Sequence, residues 1–210
     1  NFLLGNSILF YAESKTAAQK ATLTAEFAKA NNAYAEAIRI SPNTQDVYFY
    51  KGQLNRVIGT PEANAQAVLD YEGYVKTVTA KGETELAKAA VRENLFETYS
   101  YIGANYATTD KAKAIENFYD SYKNAENQEK RFIFADSLAK AYKTVGKLDS
   151  LAKYSEVKAL EIPSLENLIT AGNGYYEAFN FAVDPPKRNA LAEKARVYYN
   201  RVLEEDPLML

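Results

Sequence analysis

The chain has 210 residues, enough for one ordinary domain or a short array of helical repeats, and its formal net charge is -2. It contains no cysteine and no histidine, which excludes disulfides and thiolate metal sites and removes the commonest general base and metal ligand. Its 25 basic and 27 acidic residues are interspersed without a basic stripe, so no nucleic-acid partner is expected.

The predicted elements are all helices, because glycine and proline are scarce while Ala, Glu, Lys and Leu are abundant. Apolar periodicity predicts ten helices in five antiparallel pairs. In chain order they cover residues 2–13 and 17–41, 45–58 and 62–80, 88–108 and 110–125, 129–145 and 148–161, and 165–182 and 187–205. The apolar stretch 2–10 is too short to span a bilayer and is expected to belong to a buried helix.

The segment Asp184-Pro185-Pro186-Lys187 is expected to interrupt the last pair with a protruding loop, because the two prolines break a helix. Either a plain connector or a functional insertion fits this loop.

One pattern recurs in the first helices: a large residue, two variable residues, a large-small pair, two variable residues and a large residue. The copies are Tyr99-x-x-Ile102-Gly103-x-x-Tyr106, Ala135-x-x-Leu138-Ala139-x-x-Tyr142, Leu168-x-x-Ala171-Gly172-x-x-Tyr175 and, more loosely, Tyr48-x-x-Lys51-Gly52-x-x-Asn55. These spacings place the side chains on one helix face. The small residue is expected to let a second helix approach closely while aromatic side chains fill the space around it.

A second pattern occurs in the helices that follow. It is clearest in Ala30-x-x-x-Tyr34-x-x-Ala37-Ile38, before Pro42, and in Ala195-x-x-x-Tyr199-x-x-Val202-Leu203, before Pro207. Weaker copies begin at Ala67, Ala114 and Ala152. A proline just beyond such a stripe cannot continue the helix.

Together the two patterns resemble the tetratricopeptide repeat, whose signature is a large-x-x-Leu-Gly-x-x-Tyr helix followed by an Ala-x-x-x-Phe-x-x-Ala helix and a proline. The resemblance extends from about Ala30 to Pro207 and indicates a divergent, bacterial-type member. It implies an α-solenoid of about five helix pairs in a right-handed superhelix, with units at about 1–43, 44–81, 88–127, 129–163 and 164–207. Because no linker rich in Pro, Gly or Ser divides the chain, residues 1–210 are predicted to form a single domain.

The resemblance also implies a binding surface, since first helices line the concave face of such proteins. The residues carried over to that face are Phe49, Gln53 and Arg56, then Glu97, Ser100, Tyr101 and Ala104, then Asp136, Lys140 and Lys143, and finally Ile169, Asn173 and Tyr176. Aromatic anchors among polar groups suit a protein or peptide, although the same residues could simply be solvated. The Lys and Asn clamp for carboxylates of chaperone tails is not expected, because Phe49, Gln53 and Ser100 stand at the matching places.

The sequence lacks the motifs of common enzymes. It has no phosphate-binding loop, and without histidine or cysteine neither familiar nucleophile-base pairing can form. Gly172-x-Gly174 lacks a preceding strand and a third glycine, so helix packing explains it better than dinucleotide binding. No catalytic residue, cofactor or metal is therefore expected.

The function expected from these features is a non-enzymatic scaffold for a protein or peptide of unknown identity. The alternative is a small-molecule or glycan-binding accessory lipoprotein of a bacterial envelope, with Tyr101 or Tyr176 stacking on sugar rings. No transmembrane segment is predicted. A start at Asn1 rather than Met and the absence of cysteine favour the bacterial periplasm or cell envelope over the cytoplasm.

Overall fold

A computed structural model describes residues 1–209, and within this range the chain consists of helices and connecting turns without a β-strand. The helices are α1 (Phe2–Glu13), α2 (Ala17–Lys20), α3 (Thr24–Ile40), α4 (Gln45–Ile58), α5 (Pro61–Thr79), α6 (Glu83–Leu86), α7 (Ala89–Tyr106), α8 (Lys111–Asn124), α9 (Gln128–Thr144), α10 (Leu148–Ser155), α11 (Val157–Glu161), α12 (Leu165–Phe181) and α13 (Pro185–Glu205). Consecutive long helices pack as neighbours in pairs, so the predicted all-α helical-repeat class is confirmed.

Two predicted helices are divided. The predicted helix at 17–41 is split at residues 21–23 into α2 and α3. A capping box of Thr16 and Gln19 starts α2, which lasts for a single turn. The predicted helix at 148–161 breaks at Glu156 into α10 and α11. The other predicted bounds differ from the observed ones by no more than one or two residues, and the short helix α6 was not predicted.

The expected loop at Asp184-Pro185-Pro186-Lys187 is wrong. Pro185 and Pro186 are the first residues of α13, and the Asp184 side chain caps this helix by accepting a hydrogen bond from the Lys187 amide at 3.0 Å. Proline is tolerated in the first turn because its missing N–H would have no partner there. Only residues 182–184 connect α12 to α13, so the segment is a tight helix start rather than an insertion.

The chain divides into two compact units, residues 1–102 and the residues from Gly103 onward. In the first unit, one core cluster joins α1, α3 and α4 around Leu9, Tyr34 and Leu54. In the second, one cluster surrounds Leu138 and another surrounds Leu168, and α10 packs against both α9 and α12. The single domain over 1–210 stays a prediction.

The predicted role of the small residue in the repeat is confirmed at three glycines. A Cβ atom built on Gly52, Gly103 or Gly172 would lie 2.7–2.8 Å from a ring atom of the following helix, too close for an unshifted neighbour. The rings belong to Tyr71, Phe118 and Tyr199, respectively. Gly5 makes the same contact with Tyr34, so α1 carries the repeat packing that the sequence patterns did not include.

Within the described residues, no helix is long and apolar enough to cross a membrane.

Candidate ligand-binding cavities

The larger polar cavity of the second unit is formed by α9, α10, α11 and α12 and has a volume of about 420 Å³. Residues at i, i+4 and i+7 of α9 form one wall: Asp136, Lys140 and Lys143. The opposite wall is one face of α12, and the floor comes from α10 and α11. The residues contributed by α12 and the floor are Glu166, Asn167, Thr170, Asn173, Gly174 and Glu177, then Leu151, Ser155 and Lys158.

Helices α10 and α12 are closely packed at the floor of this cavity. A Cβ atom on Gly174 would overlap the Ser155 side chain, so α12 and α10 touch directly at this point. The Ser155 hydroxyl donates a hydrogen bond to the Leu151 carbonyl of its own helix at 2.9 Å, so this buried donor has a partner. This contact confirms that packing explains Gly172-x-Gly174.

The walls of the cavity alternate in charge. Lys143 pairs with Glu177 at 2.7 Å, and Lys158 pairs with Asp136 at 2.6 Å, with all four side chains more than a quarter exposed. Lys140 is exposed and forms no ion pair with any residue that the structure describes. Exposed pairs of this kind contribute little to stability, so their charges can be exchanged for those of a ligand.

The first unit gathers the predicted residues Gln53, Arg56, Glu97 and Tyr101 around a smaller cavity of about 210 Å³. The Arg56 guanidinium forms an ion pair with Glu97, donates to the Tyr71 hydroxyl at 3.2 Å and lies 5.1 Å above the Tyr101 ring. Burial alone would lower the pKa of Arg56, but Tyr71 and Glu97 together raise it. Arg56 is thus held by groups of its own unit.

The remaining predicted residues of the first unit take different positions. Phe49 is buried and its ring contacts those of Tyr71 and Tyr74, which corrects its placement on an exposed face. The error is one of register, since the helix face that brings Gly52 to α5 also carries Phe49 into the core. Ser100 is half-buried, and its hydroxyl donates to the Phe96 carbonyl at 2.5 Å.

Tyr176, predicted for the second unit, is 51% exposed but does not line the cavity. It stacks on Phe179 with 6.0 Å between ring centroids. The glycan alternative needs an aromatic wall inside a pocket, so this geometry gives it no support. Asn173 does line the cavity, and it accepts a hydrogen bond from the Tyr199 hydroxyl at 2.8 Å.

Several cavity residues were not predicted from the sequence. Glu166, Thr170 and Glu177 lie on the same α12 face as Asn173, so extending that face by one turn in each direction would have found them. Lys158 belongs to the second helix of a pair, and no local pattern indicates that it reaches this wall.

Two carboxylates outside these cavities, Asp70 and Glu156, each accept hydrogen bonds from several side chains. In the first unit, the carboxylate of Asp70 accepts from Lys51 at 2.6 Å, from Asn55 at 2.8 Å and from Gln66 at 3.0 Å. All of these partners are within one helix pair, so the group is structural.

Among the described residues, no group of three or more His, Cys, Asp or Glu could hold a metal ion.

In the second unit, Glu156 accepts hydrogen bonds from the hydroxyls of Tyr175 and Tyr198, whose rings stack at 5.9 Å between centroids. Burial and the neighbouring carboxylate raise the pKa of Tyr198 to about 12. Burial and the hydrogen bond to Glu156 raise the pKa of Tyr175 as well. The two hydroxyls thus hold the Glu156 side chain in place at the break between α10 and α11.

Comparison with known proteins identifies the fold and no family. No family model matches the chain, and no curated protein matches it. A crystal structure of MamA protein matches with a TM-score of 0.52 at 16% identity, covering 97% of this chain and 92% of that one. A second MamA crystal structure has a TM-score of 0.48 at 17% identity, covering 92% and 96%. The first likeness extends along nearly the whole chain and shows that this chain has a helical-solenoid fold.

Proposed function

We propose that the chain is a divergent member of the tetratricopeptide repeat family and a non-enzymatic scaffold that binds a peptide segment of a partner protein. The family assignment is supported by the glycine-to-ring contact, which occurs at Gly5, Gly52, Gly103 and Gly172. The contact thus recurs at the same place in four of the five helix pairs, and such recurrence is typical of helical arrays.

The observation that carries the binding role is the cavity between α9 and α12. Both walls are first helices of their pairs, and most of the side chains that they turn to the cavity are polar and partly exposed. A peptide in extended form offers alternating N–H and C=O groups. Asn167, Thr170 and Asn173 each make one hydrogen bond within the chain, which leaves the Asn167 amide oxygen and the Thr170 hydroxyl oxygen to accept and the Asn173 amide nitrogen to donate. Pockets that bury small molecules are enclosed and mainly apolar, whereas this cavity is open and lined largely by polar side chains, which suits a few residues of an extended chain.

Charge indicates the kind of peptide that fits. Lys140 has no carboxylate partner among the described residues, whereas Lys143 and Lys158 each already have one. A ligand carboxylate beside Lys140 would therefore gain a charge-assisted hydrogen bond without breaking an existing pair. The proposed ligand is a peptide with an acidic side chain or a terminal carboxylate at this point.

The test is selection of peptides from a random library against the chain, followed by calorimetry with variants. Lys140→Ala should weaken the selected peptide about fivefold to tenfold, equivalent to about 1 kcal/mol. Lys29→Ala removes the same charge from an exposed position on α3 and should leave the affinity unchanged. Equal affinities for the wild type and Lys140→Ala, or failure to select any peptide, would contradict the proposed function.

A further inference from the structure

The second unit has another cavity, between α8 and α9, with a volume of about 240 Å³. Its apolar lining consists of Ala107 in the turn before α8, Ala114 and Phe118 on α8, and Ala141 on α9. We call this cavity the apolar groove. Pockets that hold a whole small molecule are larger, about 300–1,000 Å³, so the groove suits a single side chain better than a complete ligand.

The ring of Phe118 is a preorganised part of the apolar groove. A Cβ atom built on Gly103 would lie 2.7 Å from this ring, and the ring of Phe134 lies 6.0 Å from it between centroids. Phe118 is nonetheless only half-buried. Because packing already holds the ring in place, a ligand that contacts it does not have to order it first.

Two hydroxyls on the α9 side of the groove have partners in their own helix. The Ser137 hydroxyl donates to the Ile133 carbonyl at 3.0 Å, and the Thr144 hydroxyl donates to the Ala141 carbonyl at 2.8 Å. Since both donors are satisfied, neither needs a hydrogen bond from a ligand. An apolar group can therefore enter the groove without leaving either donor unpaired.

The charged residues of the apolar groove are both lysines. They are Lys111 on α8 and Lys140 on α9, and none of the described residues that line the groove is acidic. Both side chains are exposed, and neither forms an ion pair with a residue that the structure describes. The groove thus favours an apolar group that lies beside a negative charge.

Lys140 lines both the apolar groove and the polar cavity between α9 and α12. Successive residues of a helix are about 100° apart, so Asp136, Lys140 and Lys143 share one face of α9, whereas Ser137, Lys140 and Thr144 share the adjacent face. Lys140 lies at the edge between these two faces. A carboxylate bound to Lys140 therefore has the polar cavity on one side and the apolar groove on the other.

The geometry of an extended peptide determines which of its residues can reach the groove. Successive side chains point to opposite sides, so residues two positions apart point to the same side and lie about 7 Å apart. When an acidic side chain of the peptide binds Lys140, the nearest side chain that also faces α9 is therefore two positions away. The side chain between them points to solvent.

We propose that the apolar groove binds a large apolar side chain of the peptide, two positions from the acidic residue that binds Lys140. This inference rests on the proposed function and adds the class of ligand to it, an internal segment that reads apolar-x-acidic or acidic-x-apolar. The peptide is the occupant because Lys140 joins the groove to the polar cavity and because the two lysines complement its charge.

The test is calorimetry with the peptide most enriched in the selection, acetylated and amidated at its ends. Replacing its apolar residue with alanine should weaken binding about tenfold and requires no change to the chain. Ala141→Leu fills the groove without a change of charge and should weaken the selected peptide by a similar factor. Ala190→Leu, the same substitution at an exposed position of α13, should bind like the wild type.

The two substitutions should not add, because both remove the same contact. The alanine peptide should therefore bind Ala141→Leu and the wild type equally. Undiminished affinity of the alanine peptide for the wild type would overturn this inference, and so would loss of binding on amidation of the peptide end. In either case the proposed function would stand, provided that Lys140→Ala still weakens the selected peptide. Failure to select any peptide would overturn both.

Discussion

The two units use charge in opposite ways. The first buries its principal ion pair, Lys51 with Asp70, at 13% and 6% side-chain exposure, and surrounds the carboxylate with two amide donors. The second places two ion pairs at the rim of a cavity, where Lys143 and Glu177 are 48% and 39% exposed. Pairs of lysine with a carboxylate therefore stabilise the packed interior of the first unit, whereas in the second unit they are accessible to a ligand.

This difference has a physical basis. Removing one partner of a buried pair leaves an uncompensated charge in a medium that solvates it poorly, while an exposed charge that loses its partner regains water. The position of a pair in the fold thus decides whether it affects stability or recognition.

The largest expected effect is on the buried pair. Asp70→Ala should lower the free energy of unfolding by about 3–5 kcal/mol, because Lys51 is left buried without a partner. Asp136→Ala, which removes the partner of the part-exposed Lys158, should cost under about 1 kcal/mol. Urea unfolding of both variants measures the contrast, and equal losses would show that the units do not differ in this way.

A smaller effect is expected at the repeat glycines. Gly52→Ala forces the ring of fully buried Tyr71 to move, at a cost of about 1–3 kcal/mol that a helix-propensity gain of about 1 kcal/mol only partly offsets. Gly172→Ala meets Tyr199, which is half-buried and can swing outward. Thermal unfolding should show a lower Tm for Gly52→Ala than for Gly172→Ala, and the reverse order would contradict the packing argument.

The smallest expected effect is a loss of stability at alkaline pH, which depends on Tyr198. Because the folded chain raises the pKa of Tyr198 to about 12, above the value of about 10 for an unfolded tyrosine, its neutral form stabilises the fold. That contribution is complete below about pH 10 and is lost as the pH rises from there through about 12.

Tyr198→Phe has no hydroxyl to ionise, so its Tm should fall less steeply with pH than that of the wild type. Scanning Tm from about pH 8 to about pH 11 checks this expectation. Tyr34→Phe is the matching variant of the first unit, where burial also raises the pKa of the replaced tyrosine. Parallel Tm curves for wild type and Tyr198→Phe would contradict the role of this hydroxyl.

Most of the fold could be predicted because its signals are local. A period of three and four residues with a small residue at a fixed place determines the helices and their contact faces, and α4 has the predicted bounds. The start of α2 is also marked locally, by the capping box Thr16-Ala-Ala-Gln19, whereas no side-chain cap marks the start of α3 after Leu23. Proline can either end a helix or occupy its first turn, so Pro185 alone could not show that a helix begins there.

The candidate site could be predicted only in part. The face of α9 follows from helix geometry once one of its residues is known, and Asp136, Lys140 and Lys143 do line one cavity. The prediction for Phe49 was wrong because Phe49 lies one turn before Gly52, on the helix face that packs against α5. Lys158 was not found from the sequence because its approach to Asp136 depends on how α11 packs against α9.

The most direct test of the account is hydrogen exchange of the chain with and without a selected peptide. The peptide should slow exchange in residues 136–143 and 166–177, the two walls of the cavity in the second unit, and leave residues 45–106 unchanged. Protection confined to the first unit, around Arg56 and Glu97, would contradict the claim that the exposed charges of the second unit are the ones that bind.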